Sequence, residues 1–260
     1  MPTIKIDNIS KIYDDPNEGA KVQALSGVSI DIEEGEFVCI VGPSGCGKST
    51  LLEIVAGLSP QSEGSVYVDD KKVTGPGRDI GVVFQNAALF PWRSIKKNIL
   101  FGLENTKIPK EEREEKFSYY LDLMGLRGFE NKYPAQLSGG MKQRAGIART
   151  LIADPKVILM DEPFSAVDHL TRCTLQEELI NIREKEKKTI LFVTHDINEA
   201  VFLADRVIVL SPRPGKIMSE YKITLPFPRS RTDAALSKYA ASIIGDISRG
   251  GKAKEEDFII

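Results

Sequence analysis

A glycine-rich loop between an apolar strand and a helix is the feature that most constrains how this chain can fold. Residues 36–41 are an apolar run that favours a buried strand, and residues 49–57 have the pattern of a helix. The loop matches G-x-x-x-x-G-K-[ST] and consists of Gly42, Pro43, Ser44, Gly45, Cys46, Gly47, Lys48, Ser49 and Thr50. Backbone N–H groups of such a loop wrap phosphates, Lys48 reaches the β- and γ-phosphates, and the Ser49 hydroxyl binds Mg²⁺. This context favours a nucleotide site over a glycine-rich turn with a surface lysine.

Strand candidates alternate with helix candidates over much of the chain, which indicates an α/β fold with a mainly parallel sheet. Strands are predicted, in chain order, at 65–68, 80–84, 157–160, 189–193 and 206–210, and helices at 171–187 and 197–204. Residues 3–41 are also β-rich. Ligands of parallel sheets bind beyond the carboxyl ends of the strands, so polar residues that follow these strands are candidates for a site.

The pattern changes between residues 93 and 153, where charged helical sequence dominates, notably at 110–124. We therefore predict a helical subdomain at 93–153, inserted into a core formed by 1–92 and 154–225. With 260 residues the chain suffices for one large domain of this kind.

The C-terminal part is the least patterned. Residues 226–260 are predicted to be an extension, with a helix at 232–244 and a mobile stretch at 250–257.

Two carboxylates at the end of an apolar strand form a second candidate site. Asp161 and Glu162 follow residues 157–160 directly, and two charges at a buried strand end are costly unless they are compensated. A Mg²⁺–ATP complex would compensate them. We assign Asp161 to the metal, directly or through water, and Glu162 as the general base for the attacking water. The alternative is that they cap the next helix.

Two more polar side chains follow strands of the same predicted sheet. Gln85 comes after residues 80–84, and its amide oxygen is suited to bind Mg²⁺ or the attacking water. His195 comes after residues 189–193, where it is suited to donate a hydrogen bond to the γ-phosphate or to hold the water. We count both as catalytic candidates. A strand-end glutamine and a structural histidine are the alternatives.

Residues 137–144, Leu-Ser-Gly-Gly-Met-Lys-Gln-Arg, resemble a second phosphate-binding element. Ser138, Gly139, Gly140 and Met141 lead into a helical run, and a helix N-terminus offers N–H groups and a positive dipole end to an anion. The chain has two phosphate elements but one set of carboxylates. We therefore predict that two copies of the protein hold each ATP, and that these four residues contact the partner's nucleotide.

Together, and in this order, the motifs resemble the nucleotide-binding subunit of ABC transporters over nearly the whole chain. The resemblance implies Walker A at 42–50, the Q-loop at Gln85, the signature at 137–141, Walker B and the catalytic glutamate at Asp161 and Glu162, a D-loop ending at Asp168, the switch histidine at His195, and adenine stacking by Tyr13. For Tyr13 a plain strand aromatic is the alternative. Met141 stands where glutamine is usual, which leaves Ser138 and both glycines intact.

The same resemblance implies the fold and the activity. The expected fold class is α/β, a P-loop NTPase core with a mainly parallel sheet, an N-terminal antiparallel β subdomain and an inserted α-helical subdomain. The expected activity is hydrolysis of ATP, with Mg²⁺, coupled to transmembrane transport.

A narrower resemblance is to importer ATPases of the nitrate, sulfonate and taurine type, which implies a small anion as the transported substrate. It is carried by residues 81–85, 90–93, 137–144, 161–172 and 210–215. Ser165 and Val167 depart from the glycine and leucine of that branch.

Residues 87–92 suggest how the protein couples to a membrane partner. They are apolar and aromatic and include Trp92, the only tryptophan. Such a loop is suited to receive a helix of a transmembrane permease subunit. The alternative is that it packs the helical subdomain onto the core.

Composition sets the expectations for location. The chain is 42% hydrophobic and 28% charged, as in soluble globular proteins, and its net charge of −2 gives no reason to expect nucleic acid as a partner. No apolar run approaches the roughly 18 residues of a membrane span, and residues 1–7 lack the apolar core of a signal peptide. The three cysteines have no paired spacing, as expected in a reducing cytosol.

These inferences place the protein at the cytoplasmic face of the cell membrane as a peripheral subunit. Its expected partners are a second copy of itself, transmembrane permease subunits and, indirectly, a periplasmic or extracellular substrate-binding protein. Alternatives are an importer of another substrate, an exporter, a soluble ABC ATPase acting on DNA or the ribosome, and a nucleotide-binding regulator without turnover.

Overall fold

The computed structural model describes residues 3–14, 21–104 and 106–256. In chain order the elements are β1 (Ile4–Asp14), β2 (Lys21–Ile32), β3 (Phe37–Val41), α1 (Lys48–Val55), β4 (Glu63–Val68), β5 (Lys71–Lys72), β6 (Ile80–Val83), α2 (Ile95–Leu100), α3 (Lys110–Leu123), α4 (Gly139–Ile152), β7 (Val157–Asp161), α5 (His169–Glu186), β8 (Thr189–Val193), α6 (Ile197–Leu203), β9 (Arg206–Leu210), β10 (Ile217–Lys222) and α7 (Ala234–Glu256). Two short 3₁₀ helices lie at Phe101–Leu103 and Pro134–Gln136.

The chain forms two compact units. Unit 1 comprises Met1–Gly77 and Thr189–Ile260, and unit 2 comprises Arg78–Lys188. These bounds differ from the division into a core, a helical insert at 93–153 and an extension at 226–260, which stays a prediction.

Unit 1 contains the expected N-terminal antiparallel sheet, in the strand order β2-β1-β4-β5. β1 pairs antiparallel with both β2 and β4. Along β2 the side chains of Val28, Ile30 and Ile32 are buried and alternate with exposed residues. This alternation is that of a strand with one face on the core, so the local pattern accounts for the sheet.

Unit 1 also contains a parallel set of strands, in which β3 lies between β8 and β9. Every residue of β3 and β8 is buried, which is typical of strands covered on both faces. Phe37 and Phe192 meet in this core with their ring centroids 5.8 Å apart. Burial of each large apolar side chain contributes about 1.5–3 kcal/mol. Because the strands are parallel, β3 and β8 end at the same edge.

The described part of unit 2 is mainly helical and contains one parallel pair of strands. β6 runs parallel to β7, with Ile80 opposite Val157 and Val83 opposite Met160. α4 packs on α2, α3 and β6. The described residues between 93 and 153 contain helices and no strand, as the charged helical pattern predicted.

Two features of the C-terminal part were not predicted. β10 pairs antiparallel with β9 at the sheet edge, and its half-exposed residues gave a weak strand signal. α7 continues to Glu256 instead of ending near residue 244. Gly250 lies against β10, where an added Cβ would stand 2.6 Å from Met218 Cε, so glycine permits this close packing. Residues 257–260 lie outside the described part. None of the described helices is both long enough and apolar enough to span a membrane.

Candidate functional site

The glycine-rich loop of unit 1 joins β3 to α1, as predicted. Gly47 precedes α1 with φ 102° and ψ 12°, and no side chain caps this helix N-terminus. An added Cβ at Gly47 would lie 2.7 Å from Leu25 Cδ2 and 3.0 Å from Ala24 O. Only glycine fits this backbone and this space. The loop therefore presents the uncapped first turn of α1, an arrangement suited to phosphate.

Lys48 lies across the loop rather than in solvent. Its Nζ donates hydrogen bonds to Gly42 O at 2.8 Å and Pro43 O at 2.9 Å, and its side chain is buried. A buried ammonium held by neutral carbonyls is well placed to exchange one of them for a phosphate oxygen. Lys48 is thus not a surface lysine, and its contact with phosphate stays a prediction.

Cys46 and Ser49 occupy different environments in the same loop. Cys46 is fully buried, and burial raises the pKa of its thiol, which lowers the thiolate fraction at neutral pH. This is the environment of a small space-filling residue. The exposed Ser49 lies in the first turn of α1, where its hydroxyl is accessible to a ligand.

Tyr13 lies beside this helix. Its hydroxyl is 3.4 Å from Thr50 Oγ1, its side chain is 40% exposed, and Lys11 Nζ stands 4.8 Å from its ring centroid. An accessible ring next to the phosphate loop suits stacking on a base. The role in adenine binding stays a prediction.

His195 follows β8 at the edge from which the phosphate loop emerges. Thr194 N donates to Ile40 O at 3.3 Å, which ties the end of β8 to the end of β3. His195 is exposed there, and Asp196 caps α6 through its side chain. The local fold thus brings His195 to the loop edge of unit 1.

In unit 2 the structure brings Gln85 and Glu162 together. Both follow the carboxyl ends of the paired strands β6 and β7, and Gln85 Nε2 lies 3.3 Å from Glu162 Oε2. Glu162 has φ 44°, in the left-handed region that non-glycine residues rarely adopt. Ser165 donates to Glu162 O from its backbone N–H at 3.2 Å and from its hydroxyl at 2.9 Å. A strained, half-buried carboxylate beside an amide is typical of functional sites.

The predicted signature lies at the start of α4, next to the predicted D-loop. Ser138 is exposed and caps α4, with its Oγ accepting from Met141 N at 3.2 Å. An added Cβ at Gly140 would lie 3.1 Å from Ala166 O, so the two segments are in close contact. Asp168 caps α5 by accepting from Thr171 N at 3.1 Å, and this bond lowers the pKa of the Asp168 carboxyl.

α4 also holds the backbone that follows β6, which the sequence did not predict. Gln143 is buried and donates from Nε2 to Phe84 O at 2.8 Å. Arg149 donates to Ala88 O at 2.9 Å and to Ala87 O at 3.2 Å. In the sequence the only sign of these bonds was a polar residue on the apolar face of a helix. The carbonyls that accept the bonds lie far away in the chain, so the sequence could not identify them.

Residues 87–92, the loop predicted to couple to a membrane partner, are partly exposed. Trp92 is 71% exposed, with its ring centroid 5.6 Å from that of Phe90. Phe90 also packs on Phe101 at 4.7 Å, and Arg93 lies over both rings. Within unit 2 the loop therefore has one face that packs locally and one that presents an aromatic side chain to solvent.

The donor types of the predicted metal ligands fit Mg²⁺. Ser49, Asp161 and Gln85 offer hydroxyl, carboxylate and amide oxygens, and Mg²⁺ prefers oxygen. Because a carboxylate only accepts, Gln85 turns its NH₂ to Glu162, and its carbonyl oxygen is the atom suited to a metal. The described residues contain no group of three His, Cys, Asp or Glu side chains placed to hold a metal ion. Such a group is not required, since Mg²⁺ typically binds through one or two carboxylates, waters and nucleotide phosphates.

Comparison with known proteins gives consistent similarities. A family model described as ABC transporter matches residues 25–165. An uncharacterized ABC transporter ATP-binding protein of Methanocaldococcus jannaschii is 52% identical over 93% of this chain and 90% of its own. The nitrate import ATP-binding protein NrtD of Synechocystis sp. is 45% identical over 98% of each chain. The aliphatic sulfonates import ATP-binding protein SsuB of Bacillus cereus is 42% identical over 96% of this chain and 97% of its own. A dimeric ATP-binding cassette in a post-hydrolysis state, bound to ADP and Pi, matches with a TM-score of 0.77 and 36% identity, covering 86% of this chain and 100% of that chain.

Proposed function

The chain belongs to the ABC transporter family and is an ATPase, and from that premise we propose that it energises an importer for a small anion. The substrates that the sequence favours are nitrate, an aliphatic sulfonate or taurine. The similarity to nitrate and sulfonate import proteins over nearly the full chain supports this class. Its partners would be permease subunits at the cytoplasmic face of the membrane and, indirectly, a substrate-binding protein.

The observation that carries the catalytic assignment is the pair Gln85–Glu162, 3.3 Å apart at the ends of two parallel strands. In this proposal Glu162 takes a proton from water as the water oxygen bonds to the γ-phosphorus. The bond from that phosphorus to the bridging oxygen breaks, which leaves ADP and phosphate. Gln85 orients the water or the metal, and the metal supplies charge stabilisation when bound.

Other residues bind and orient the nucleotide. Lys48 and the backbone N–H groups of residues 42–50 hold the β- and γ-phosphates, Tyr13 stacks on adenine, and His195 donates a hydrogen bond to the γ-phosphate or holds the water. Asp161 and Ser49 would hold Mg²⁺. Together these groups position the phosphorus for in-line attack.

A second copy completes the site in this proposal. Residues 138–141 of that copy contact the γ-phosphate, so two ATP molecules join two chains with two-fold symmetry. The dimeric solved relative supports such an assembly. Hydrolysis removes the contact and opens the dimer, which makes ATP a ligand that biases a two-state switch. The exposed Trp92 face would pass this motion to the permease.

Purification of the complex from membranes of the protein's own host tests the importer function. A tagged chain should copurify with permease subunits. In vesicles containing its binding protein, the complex should hydrolyse ATP several-fold faster with nitrate, taurine or an alkanesulfonate than with an uncharged sugar. Copurification with ribosomes or DNA, or stimulation only by substrates presented from the cytoplasmic side, would contradict it.

A further inference from the structure

The turn between β9 and β10 is a sequence motif to which the proposed mechanism gives no role. Residues 211–216 read Ser-Pro-Arg-Pro-Gly-Lys and follow β9, which runs parallel to β3. The turn therefore emerges beside the phosphate loop. An added Cβ at Gly42 would lie 2.8 Å from Leu210 O, which shows how closely the loop begins against the end of β9.

The backbone of this turn is fixed on both sides. Gly215 N donates to Ala24 O at 2.9 Å, and Ser26 N donates to Gly215 O at 3.0 Å. An added Cβ at Gly215 would lie 2.1 Å from Cys46 O. The turn thus packs directly on the back of the phosphate loop, with no room for a side chain at this point.

One side chain of the turn bonds to the loop. Arg213 Nε donates to Gly45 O at 3.2 Å. This carbonyl and the N–H of Cys46 belong to one planar trans peptide and point in opposite directions. A guanidinium that holds the carbonyl outward therefore holds the N–H of Cys46 toward the inside of the loop.

That N–H is weakly engaged in its own loop. Cys46 N donates to Pro43 O at 3.3 Å, beyond the usual range for such bonds. Backbone N–H groups on the inside of a phosphate loop are its main phosphate ligands. A positive charge on the carbonyl side also polarises the peptide and makes its N–H a better donor.

We propose that Arg213 is a positioning residue that orients the Gly45–Cys46 peptide and thereby strengthens the binding of nucleotide phosphates. The proposal rests on the proposed function of residues 42–50 as the phosphate loop. Arg213 acts through the loop and does not touch the nucleotide. It sets affinity for ADP and ATP and leaves the hydrolysis step, carried by Glu162, unchanged.

Binding and kinetics of Arg213→Ala test this in the full chain. We expect its Kd for ADP and its KM for ATP to rise about three- to tenfold, as for loss of one exposed hydrogen bond from a charged group. Its kcat and its melting temperature without nucleotide should stay at wild-type values. Arg213→Lys keeps a charged donor and should recover part of the affinity. Lys216→Ala, which removes a cation from the same turn, is the matched control and should bind ADP as wild type does.

The outcomes separate this proposal from its premise. Wild-type ADP affinity in Arg213→Ala, or an equal loss in Lys216→Ala, would overturn the role of Arg213. A drop in kcat and melting temperature at unchanged KM would show a merely structural turn and would equally overturn it. Lys48→Ala, measured in parallel, should lose ATP binding; if it binds ATP normally, the phosphate-loop assignment itself is wrong.

Discussion

At the scale of single residues, Glu162 has a backbone conformation that a glutamate rarely adopts. Its φ of 44° lies in the left-handed region, and such a conformation costs about 1–3 kcal/mol and persists only where the surroundings enforce it. Two hydrogen bonds from Ser165 to Glu162 O hold it. The chain leaves β7 at this residue, and the Glu162 carboxylate lies 3.3 Å from Gln85 Nε2.

Replacement of Glu162 by glutamine should separate binding from chemistry. Glu162→Gln keeps the shape and the contact region but removes the base, so ATP binding should persist while hydrolysis falls about 10²–10⁴-fold. Phosphate release and the Kd for ATP are the measurements. Glu184→Gln, on the exposed face of α5, is the control and should hydrolyse at the wild-type rate. Normal turnover in Glu162→Gln would remove Glu162 from the mechanism.

At the scale of elements, α4 connects the predicted signature to the segment that carries Gln85. Its first turn is capped by Ser138, and Gln143 one turn later bonds to Phe84 O. Arg149 bonds to the carbonyls of Ala87 and Ala88 further along. A displacement of α4 at its N-terminus would thus be transmitted to Gln85 through these hydrogen bonds to backbone carbonyls.

Loss of the Gln143 amide should therefore lower turnover more than affinity. Gln143→Leu leaves the Phe84 carbonyl unsatisfied and should cost about 1–3 kcal/mol of unfolding free energy. It should reduce kcat with little change in KM, because the phosphate loop belongs to the other unit. Urea denaturation and steady-state kinetics measure the two effects. Gln61→Leu removes an exposed hydrogen bond from a side-chain amide to Gly64 O and should leave kcat unchanged. An equal loss of kcat in this variant would argue against the link through α4.

Elements whose signal is local could be predicted from the sequence. The apolar runs of β8 and β9 gave both strands their exact bounds, and the glycine pattern placed the loop between β3 and α1. β10 and the late end of α7 could not be predicted, because each depends on a partner distant in the chain. The burial of Gln143 and the contact of Arg213 with Gly45 have the same origin. The positions of elements could be predicted where residue type and neighbouring sequence determine them. Contacts between residues distant in the chain could not.

At the scale of the whole molecule, each unit carries part of the proposed machinery. Unit 1 holds the phosphate loop, Tyr13 and His195, and unit 2 holds the carboxylates, Gln85 and the signature. In the proposed mechanism, hydrolysis uses groups of each unit and the predicted signature of a second chain. ATP would then be the ligand that assembles the dimer.

A bulky cation at the signature should prevent that assembly. In a Glu162→Gln background, which retains ATP, the Ser138→Arg variant should remain a monomer when ATP is added. The Glu162→Gln variant alone should form a dimer of twice that mass. The arginine fills the exposed helix N-terminus and removes its cap, which costs about 1 kcal/mol of stability but leaves unit 1 able to bind nucleotide. Light scattering and a nucleotide-binding assay check both points. Ser230→Arg, at an exposed serine of unit 1, should still dimerise; dimers of Ser138→Arg would contradict the shared site.

Because Trp92 is exposed, the intrinsic fluorescence of the protein reports on the surface around this residue. The chain has a single tryptophan, and its ring is 71% accessible on the loop proposed to meet the permease. Emission from indole depends on the polarity around it, so any shift in the spectrum of this chain reports on one known point of its surface. Docking to a tryptophan-free partner can be followed in real time without attaching a dye.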